Sequence, residues 1–277
     1  MQFAHAWDDT RLNEEAQAFL RTRDEDLGDR WAKIVRDAAS GNAAELQRVR
    51  NGRATDTPVP EGVIVVEADA DGVPVRLYIP TSPAPSKKIV LYFHGGGWVI
   101  GSVQSCSRFC GELARAAAYG GDAAQIYAAG DSAGGNLAVA LGLQHQLRGL
   151  MLFYPVVTLL PEDYGESWQE FARGYALDAD LMEAFAAAYV PDALRSDALV
   201  SPLSCADLSG LPRTLCITAE CDILRDQGNV FGERLRKAGI SVTERCFSGA
   251  VHLFVTVAGM GWDFWRDIGE CTAFLQQ

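Results

Sequence analysis

The stretch from Gln125 to Gly135, QIYAAGDSAGG, constrains the fold more than any other part of the chain. A short apolar run, residues 125–129, reads as a buried strand. A helix is expected to start at Ser132 and run to about Gln146. Ser132 therefore falls in the turn between the two, flanked by Gly130, Ala133, Gly134 and Gly135. Small residues on both sides of one hydroxyl mean either that the backbone turns too sharply for larger ones, or that something must approach it closely.

The neighbouring segments repeat the alternation. Residues 8–50 read as helical, with Leu12, Ala16, Phe19 and Leu20 on one face and Trp31, Ile34, Val35 and Ala38 on another. The prolines and glycine of ATDTPVPEG end that pattern. Strands are predicted at 63–68, 74–80, 87–93, 147–155, 214–220 and 241–247. Helices are predicted at 105–118, within 161–195, at 225–239 and at the end of the chain, around Trp265, Ile268 and Phe274. Strands alternating with helices predict an α/β fold with a mostly parallel sheet. Reactive groups in such a sheet collect beyond the carboxyl ends of the strands.

Composition narrows the function. The 277 residues carry a net charge of −12, with 36 acidic and 24 basic side chains. That balance opposes nucleic-acid binding, which needs a basic surface, and an anionic membrane surface as well. No apolar run is long enough to span a bilayer, and the first residues lack the pattern of a signal peptide. Seven cysteines without a C-x-x-C pair predict free or buried thiols in a reducing, cytoplasmic setting. Cys106 and Cys110 could share a helix face, but two thiols with no nearby histidine make a poor zinc site, so no metal is expected.

Four strand ends carry chemistry. IVLYF runs into His94-Gly95-Gly96-Gly97-Trp98, and QIYAA into Gly130-Asp131-Ser132. TLCITAE runs into Cys221-Asp222, and SVTERCF into Ser248-Gly249-Ala250-Val251-His252. A serine, an aspartate and a histidine at one sheet edge are the inventory of a nucleophile, a base and a carboxylate that orients the base. A lone G-x-S-x-G arises by chance roughly 0.13 times in a chain of this composition, and His-Gly-Gly-Gly about 0.004 times. Aspartates after strands are commonly turn residues, and most histidines are structural. The signal is the order and position of all four together. In a strand–turn–helix elbow the serine Oγ projects outward from a strained backbone. The N–H of Ala133, in the first helical turn, can then face a developing oxyanion.

HGGGW, GDSAGG, DILRDQG and GAVHLF, in this order, resemble the hormone-sensitive-lipase-like branch of the α/β-hydrolases from about Val63 onward. The resemblance implies Ser132 as nucleophile, His252 as general base and acid, and Asp222 as its orienting carboxylate, with Asp226 a decoy. It implies Gly96, Gly97 and Ala133 as oxyanion donors and His94 as organiser of the glycine loop. Trp98, Asp131 and Leu253 are expected in the substrate pocket. Residues 1–55 and 161–195 are expected to form a helical cap over a catalytic domain spanning 56–277.

The chain departs from that branch in one respect. There, a helix, a further strand bearing an Asp-Tyr-Arg motif, and a second helix separate the glycine loop from the elbow strand. Here only 28 residues lie between Gly101 and Gly130, and one crossover takes about 30 or more. The expectation is a repacked seven-stranded sheet lacking a central strand, or a chain break near Tyr119.

The function implied is a cofactor-independent serine carboxylesterase hydrolysing short-chain acyl esters, with a small-molecule ester as its partner. A homodimer through a sheet edge or terminal helix would fit. A non-catalytic small-molecule binder and an inactive relict of the same fold remain the alternatives.

Overall fold

A computed structural model describes residues 4–53, 58–82, 88–116, 122–257 and 261–277. Three helices open the chain: α1 (Glu14–Arg21), α2 (Leu27–Ala39) and α3 (Ala44–Arg53). Asn13 caps α1 by accepting a 2.8 Å hydrogen bond from the N–H of Ala16. On α2 the buried side is Trp31, Ala32 and Val35, the spacing of one helical face. Strands β1 (Val63–Ala70) and β2 (Val73–Pro80) follow as an antiparallel ribbon, turned at Asp71-Gly72, both with positive φ.

The main sheet then builds through β3 (Ile89–Phe93), α4 (Ser107–Ala116), β4 (Ile126–Asp131), α5 (Ala133–Gln144) and β5 (Gly149–Phe153). The two helices α6 (Ser167–Glu170) and α7 (Ala179–Tyr189) come next. Strand β6 (Thr214–Cys221), α8 (Arg225–Lys237), β7 (Val242–Val251) and α9 (Gly261–Gln276) complete the chain. The order is β3-β4-β5-β6-β7, parallel throughout, so the spatial order follows the chain order. Alternate residues feed opposite cores. Ala128, Leu150 and Leu152 face Ala138 and Val139 of α5 and Phe231 and Leu235 of α8. Ala129, Met151 and Phe153 belong to the larger core, with Phe109 of α4 and Phe274 of α9. Helix α2 packs against α7 in a helical layer that shares this larger core.

The seven strands among the described residues do not form one sheet, which corrects the expectation of a repacked seven-stranded sheet. The β1–β2 ribbon has no ladder to β3, and the two sheets hold two and five strands. Tyr119, the expected break, is outside the described residues. In place of a ladder the ribbon is tethered to α4. The buried hydroxyl of Ser107 accepts hydrogen bonds from Arg76 Nη1 (2.8 Å) and from the Tyr78 hydroxyl (2.9 Å). Burial pushes the Tyr78 phenol up to about 12. The ribbon leaves Ile64, Val66, Val73 and Leu77 exposed, and Leu91 is exposed on β3.

Ser107→Ala removes the shared acceptor while Arg76 keeps Glu67 and the Tyr78 hydroxyl keeps the Val103 carbonyl, a loss of about 0.5–1.5 kcal/mol. Hydrogen exchange should accelerate across residues 63–80 while protection over 126–131 and 149–153 stays within error. Equal protection in the ribbon of both proteins would show that Ser107 is not its tether.

Candidate active site

Ser132 sits between β4 and α5 with φ 55° and ψ −121°. The left-handed region is costly for a residue with a Cβ, on the order of 1–3 kcal/mol, and needs surroundings that over-determine it. Here they do. Its N–H donates to Phe153 O (2.9 Å), and its own carbonyl accepts from Val156 N (3.2 Å). The glycines beside it are sterically required. A Cβ on Gly134 would lie 2.0 Å from the carbonyl oxygen of Phe93, and one on Gly130 would lie 2.3 Å from the backbone of Gly134. Both readings of the small-residue stretch therefore hold: the turn is tight, and β3 passes directly against it.

The three side chains that the sequence analysis singled out meet at this point. His252, just beyond β7, has Nε2 3.1 Å from Ser132 Oγ and Nδ1 2.7 Å from Asp222 Oδ2. All three are buried. Asp222 is fixed in turn by accepting the Leu224 N–H at 3.0 Å on its other oxygen. Asp226, four residues on, is occupied elsewhere: it accepts from Ser167 N (2.7 Å) and from Arg225 Nε (2.8 Å). The ring of Tyr154 packs against the imidazole with centroids 4.5 Å apart.

The glycine loop lies opposite. Gly96 and Gly97 have φ of 112° and 59°, and Val99 N and Ile100 N both fold back onto the Gly96 carbonyl. Among the described residues, the N–H groups of Gly96, Gly97 and Ala133 find no acceptor within the chain. Asp131 positions this loop. Its Oδ1 accepts from Gly95 N (2.9 Å) and from the Tyr92 hydroxyl (2.8 Å). Burial raises its pKa, and the two donors oppose that rise. The imidazole Nδ1 of His94 lies 2.8 Å from the Gly95 carbonyl.

A cavity of about 70 Å³ opens onto Ser132 and His252 between Gly96, Gly97 and Leu253. Leu181, Met182 and Phe185 of α7 form its apolar wall, and a Cβ on Gly97 would come within 2.2 Å of the Phe185 ring. Trp98 and Asp131 do not line this cavity: Trp98 stacks on Tyr189 at 4.3 Å, and Asp131 lies beneath the glycine loop. The α7 residues fall in the segment 161–195 expected to form the cap, but none of them was singled out. Their spacing marks an apolar helix face, but not what that face covers. Strain gathers here as well. Trp98, Ser132, Tyr154, Ala176 and Leu253, all but one of the described non-glycine residues with positive φ, border the cavity or its nearest neighbours. No group of three or more metal-ligating side chains occurs among the described residues.

A parallel sheet covered on both faces, with a linked serine, imidazole and carboxylate beyond its strand ends, defines an α/β protein with a hydrolase-type site. The chain belongs to the α/β hydrolase fold family, whose sequence pattern matches residues 90–119 and 114–256. It is 33% identical over 234 residues to carboxylesterase NlhH of Mycobacterium tuberculosis, covering 67% of this chain and 72% of that one. It is 30% identical over 271 residues to an ethyl acetate hydrolase of Pseudomonas putida, covering 81% and 84%. Among solved structures, an esterase of Rhizomucor miehei superposes with a TM-score of 0.77 at 26% identity, over 96% of each chain. A thermostable esterase of Pseudomonas putida shares the fold with a TM-score of 0.80 at 24% identity, over 97% of this chain and 99% of that one.

Asp131→Ala leaves the half-buried Gly95 N–H and Tyr92 hydroxyl without their acceptor and should cost on the order of 1 kcal/mol or more in denaturant unfolding. Asp131→Asn, which keeps a carbonyl oxygen for both donors, should recover most of that loss. Equal destabilisation by the two variants would mean that the negative charge, rather than the acceptor, matters.

Proposed function

We propose that this chain is a carboxylic ester hydrolase that acts on esters of short acids through Ser132, His252 and Asp222, without metal or organic cofactor. The observation that carries the reading is the unbroken chain of hydrogen bonds from Ser132 Oγ through the His252 imidazole to Asp222, at 3.1 and 2.7 Å. Support comes also from the relatives whose names describe a carboxylesterase, an ethyl acetate hydrolase and, at 30% identity in Saccharolobus solfataricus, an arylesterase.

In this reading Ser132 Oγ attacks the ester carbonyl carbon while His252 Nε2 takes its proton. Asp222 holds Nδ1–H and stabilises the imidazolium. The oxyanion of the tetrahedral intermediate is held by the N–H groups of Gly96, Gly97 and Ala133. Preorganised donors of this kind are worth about 3–4 kcal/mol each in the transition state. The alcohol leaves with the proton from His252, and water then releases the acid by the same steps. The cavity of about 70 Å³ holds only a few water-sized groups, which sets the limit on the acyl chain. Helices α2 and α7 act as a cap: Trp31 of α2 and Phe185 of α7 line that cavity.

Turnover of p-nitrophenyl acetate should fall on the order of 10⁴-fold or more in Ser132→Ala, and by about 10⁴-fold in Asp222→Asn. Asp226→Asn should keep most of the rate. A fluorophosphonate should label Ser132 in the native protein. Full activity in Ser132→Ala would overturn the assignment. Tight ligand binding without turnover or labelling would turn the reading to a non-catalytic binder.

A further inference from the structure

The β1–β2 ribbon has two unlike faces. In an antiparallel ribbon, directly paired residues point to the same side. The pairs Val65–Tyr78 and Glu67–Arg76 fall on one side, and Arg76 and Tyr78 carry that side onto Ser107 of α4. The other face runs from Ile64–Ile79 through Val66–Leu77 to Ala70–Val73 and holds eight residues, all apolar. Six of them are exposed and the other two half-buried. Leu91 of β3 points the same way. Its neighbour Tyr92 packs on Phe109 of α4, with ring centroids 5.6 Å apart, so Leu91 faces away from α4. Ile64, Val66, Val73, Leu77 and Leu91 are five of the nine large apolar side chains exposed among the described residues. Single exposed apolar residues are ordinary, but a cluster on one side marks an interaction surface.

The fold indicates the shape of the occupant. On the side away from α4 the main sheet is covered by helices: Phe93, Leu150 and Leu152 pack there with Val139 of α5 and Phe231 of α8. A helix is therefore the element that continues this layer over the ribbon. Each ribbon strand has eight residues, about 26 Å at roughly 3.3 Å per residue, which a helix of about 17 residues spans. Charge indicates the chemistry of the occupant. Glu61 lies at one end of the ribbon and Asp69 and Asp71 at the other; all three are exposed and enter no ion pair among the described residues, whereas Glu67 is taken by Arg76. A second copy of this chain would bring the same acidic ends, and a net charge of −12, against them. An anionic bilayer is disfavoured for the same reason.

We infer that the bare face of the ribbon docks a basic amphipathic helix of a partner protein, with the apolar stripe of the helix on Val66 and Leu77 and its cationic side chains toward Glu61, Asp69 and Asp71. The inference uses no residue of the proposed hydrolytic site and stands apart from that reading. The probe is a fluorescein-labelled peptide of about 18 leucines and lysines in the helical pattern. A scrambled peptide of the same composition and a leucine–glutamate counterpart serve as controls. By fluorescence anisotropy at physiological salt, the full chain should bind the probe with a micromolar Kd and both controls at least tenfold more weakly. Val66→Glu and Leu77→Glu should each weaken binding tenfold or more, although an added carboxylate would strengthen a purely electrostatic contact. Asp69→Lys combined with Asp71→Lys should weaken it severalfold. Unchanged circular dichroism and unfolding midpoint would show that these exposed positions leave the fold intact. Equal binding of either control peptide, or unchanged affinity in both glutamate variants, would overturn the inference. A dimer seen by light scattering and broken by Leu77→Glu would overturn it in favour of a second copy. Co-sedimentation with phosphatidylcholine vesicles, lost in Leu77→Glu, would overturn it in favour of a lipid surface.

Discussion

The site depends on one close approach. The carbonyl of Phe93, at the end of β3, lies so near the first turn of α5 that Gly134 has room for hydrogen alone. That contact presses the glycine loop, the elbow and the start of α5 into one small volume. It holds because β3 and β4 pair in parallel from Ile89–Ile126 to Phe93–Gly130, so both strands end at the same height. Asp131 then fastens the two turns to each other through Gly95. Without that fastening, the bare N–H groups of the loop would have no fixed relation to the serine.

The imidazole arrives from the opposite flank. Strands β6 and β7 carry Asp222 and His252 to the same edge, and the N-terminal arm holds the last residues of β7, next to His252. Asn13 N donates to the Gly249 carbonyl at 3.1 Å, and Gly249 sits so close to Arg11 and Asn13 that a Cβ would overlap them. The first residues of the chain therefore support the proposed base at one point and wall a separate cavity of about 810 Å³ at another.

The β1–β2 ribbon has no ladder to β3 among the described residues. Neighbouring strands that cannot pair leave an open edge on β3, and an exposed edge with apolar residues such as Leu91 is a template for unwanted pairing. Side-chain hydrogen bonds through Ser107 take over part of what a ladder would do. The site lies at β3's carboxyl end and on its other neighbour, β4, which is why the gap leaves the geometry around Ser132 intact.

Much of the chemistry was legible in the bare string of residues. Small residues around Ser132, the glycine run after His94 and the residues ending β6 and β7 are local signals, because turn sterics and strand ends depend on near neighbours. The alternation of strands and helices announced the parallel sheet for the same reason. Other features are long-range. The choice of Asp222 over Asp226 rests on the family resemblance and not on local pattern; in the fold Asp222 meets the imidazole and Asp226 is taken by Ser167 and Arg225. That Asp131 points under the glycine loop and that Phe185 seals Gly97 depend on how distant segments pack. Periodicity says that a helix has an apolar face; only close packing in three dimensions selects what that face touches, and the shape of a cavity is the sum of such choices.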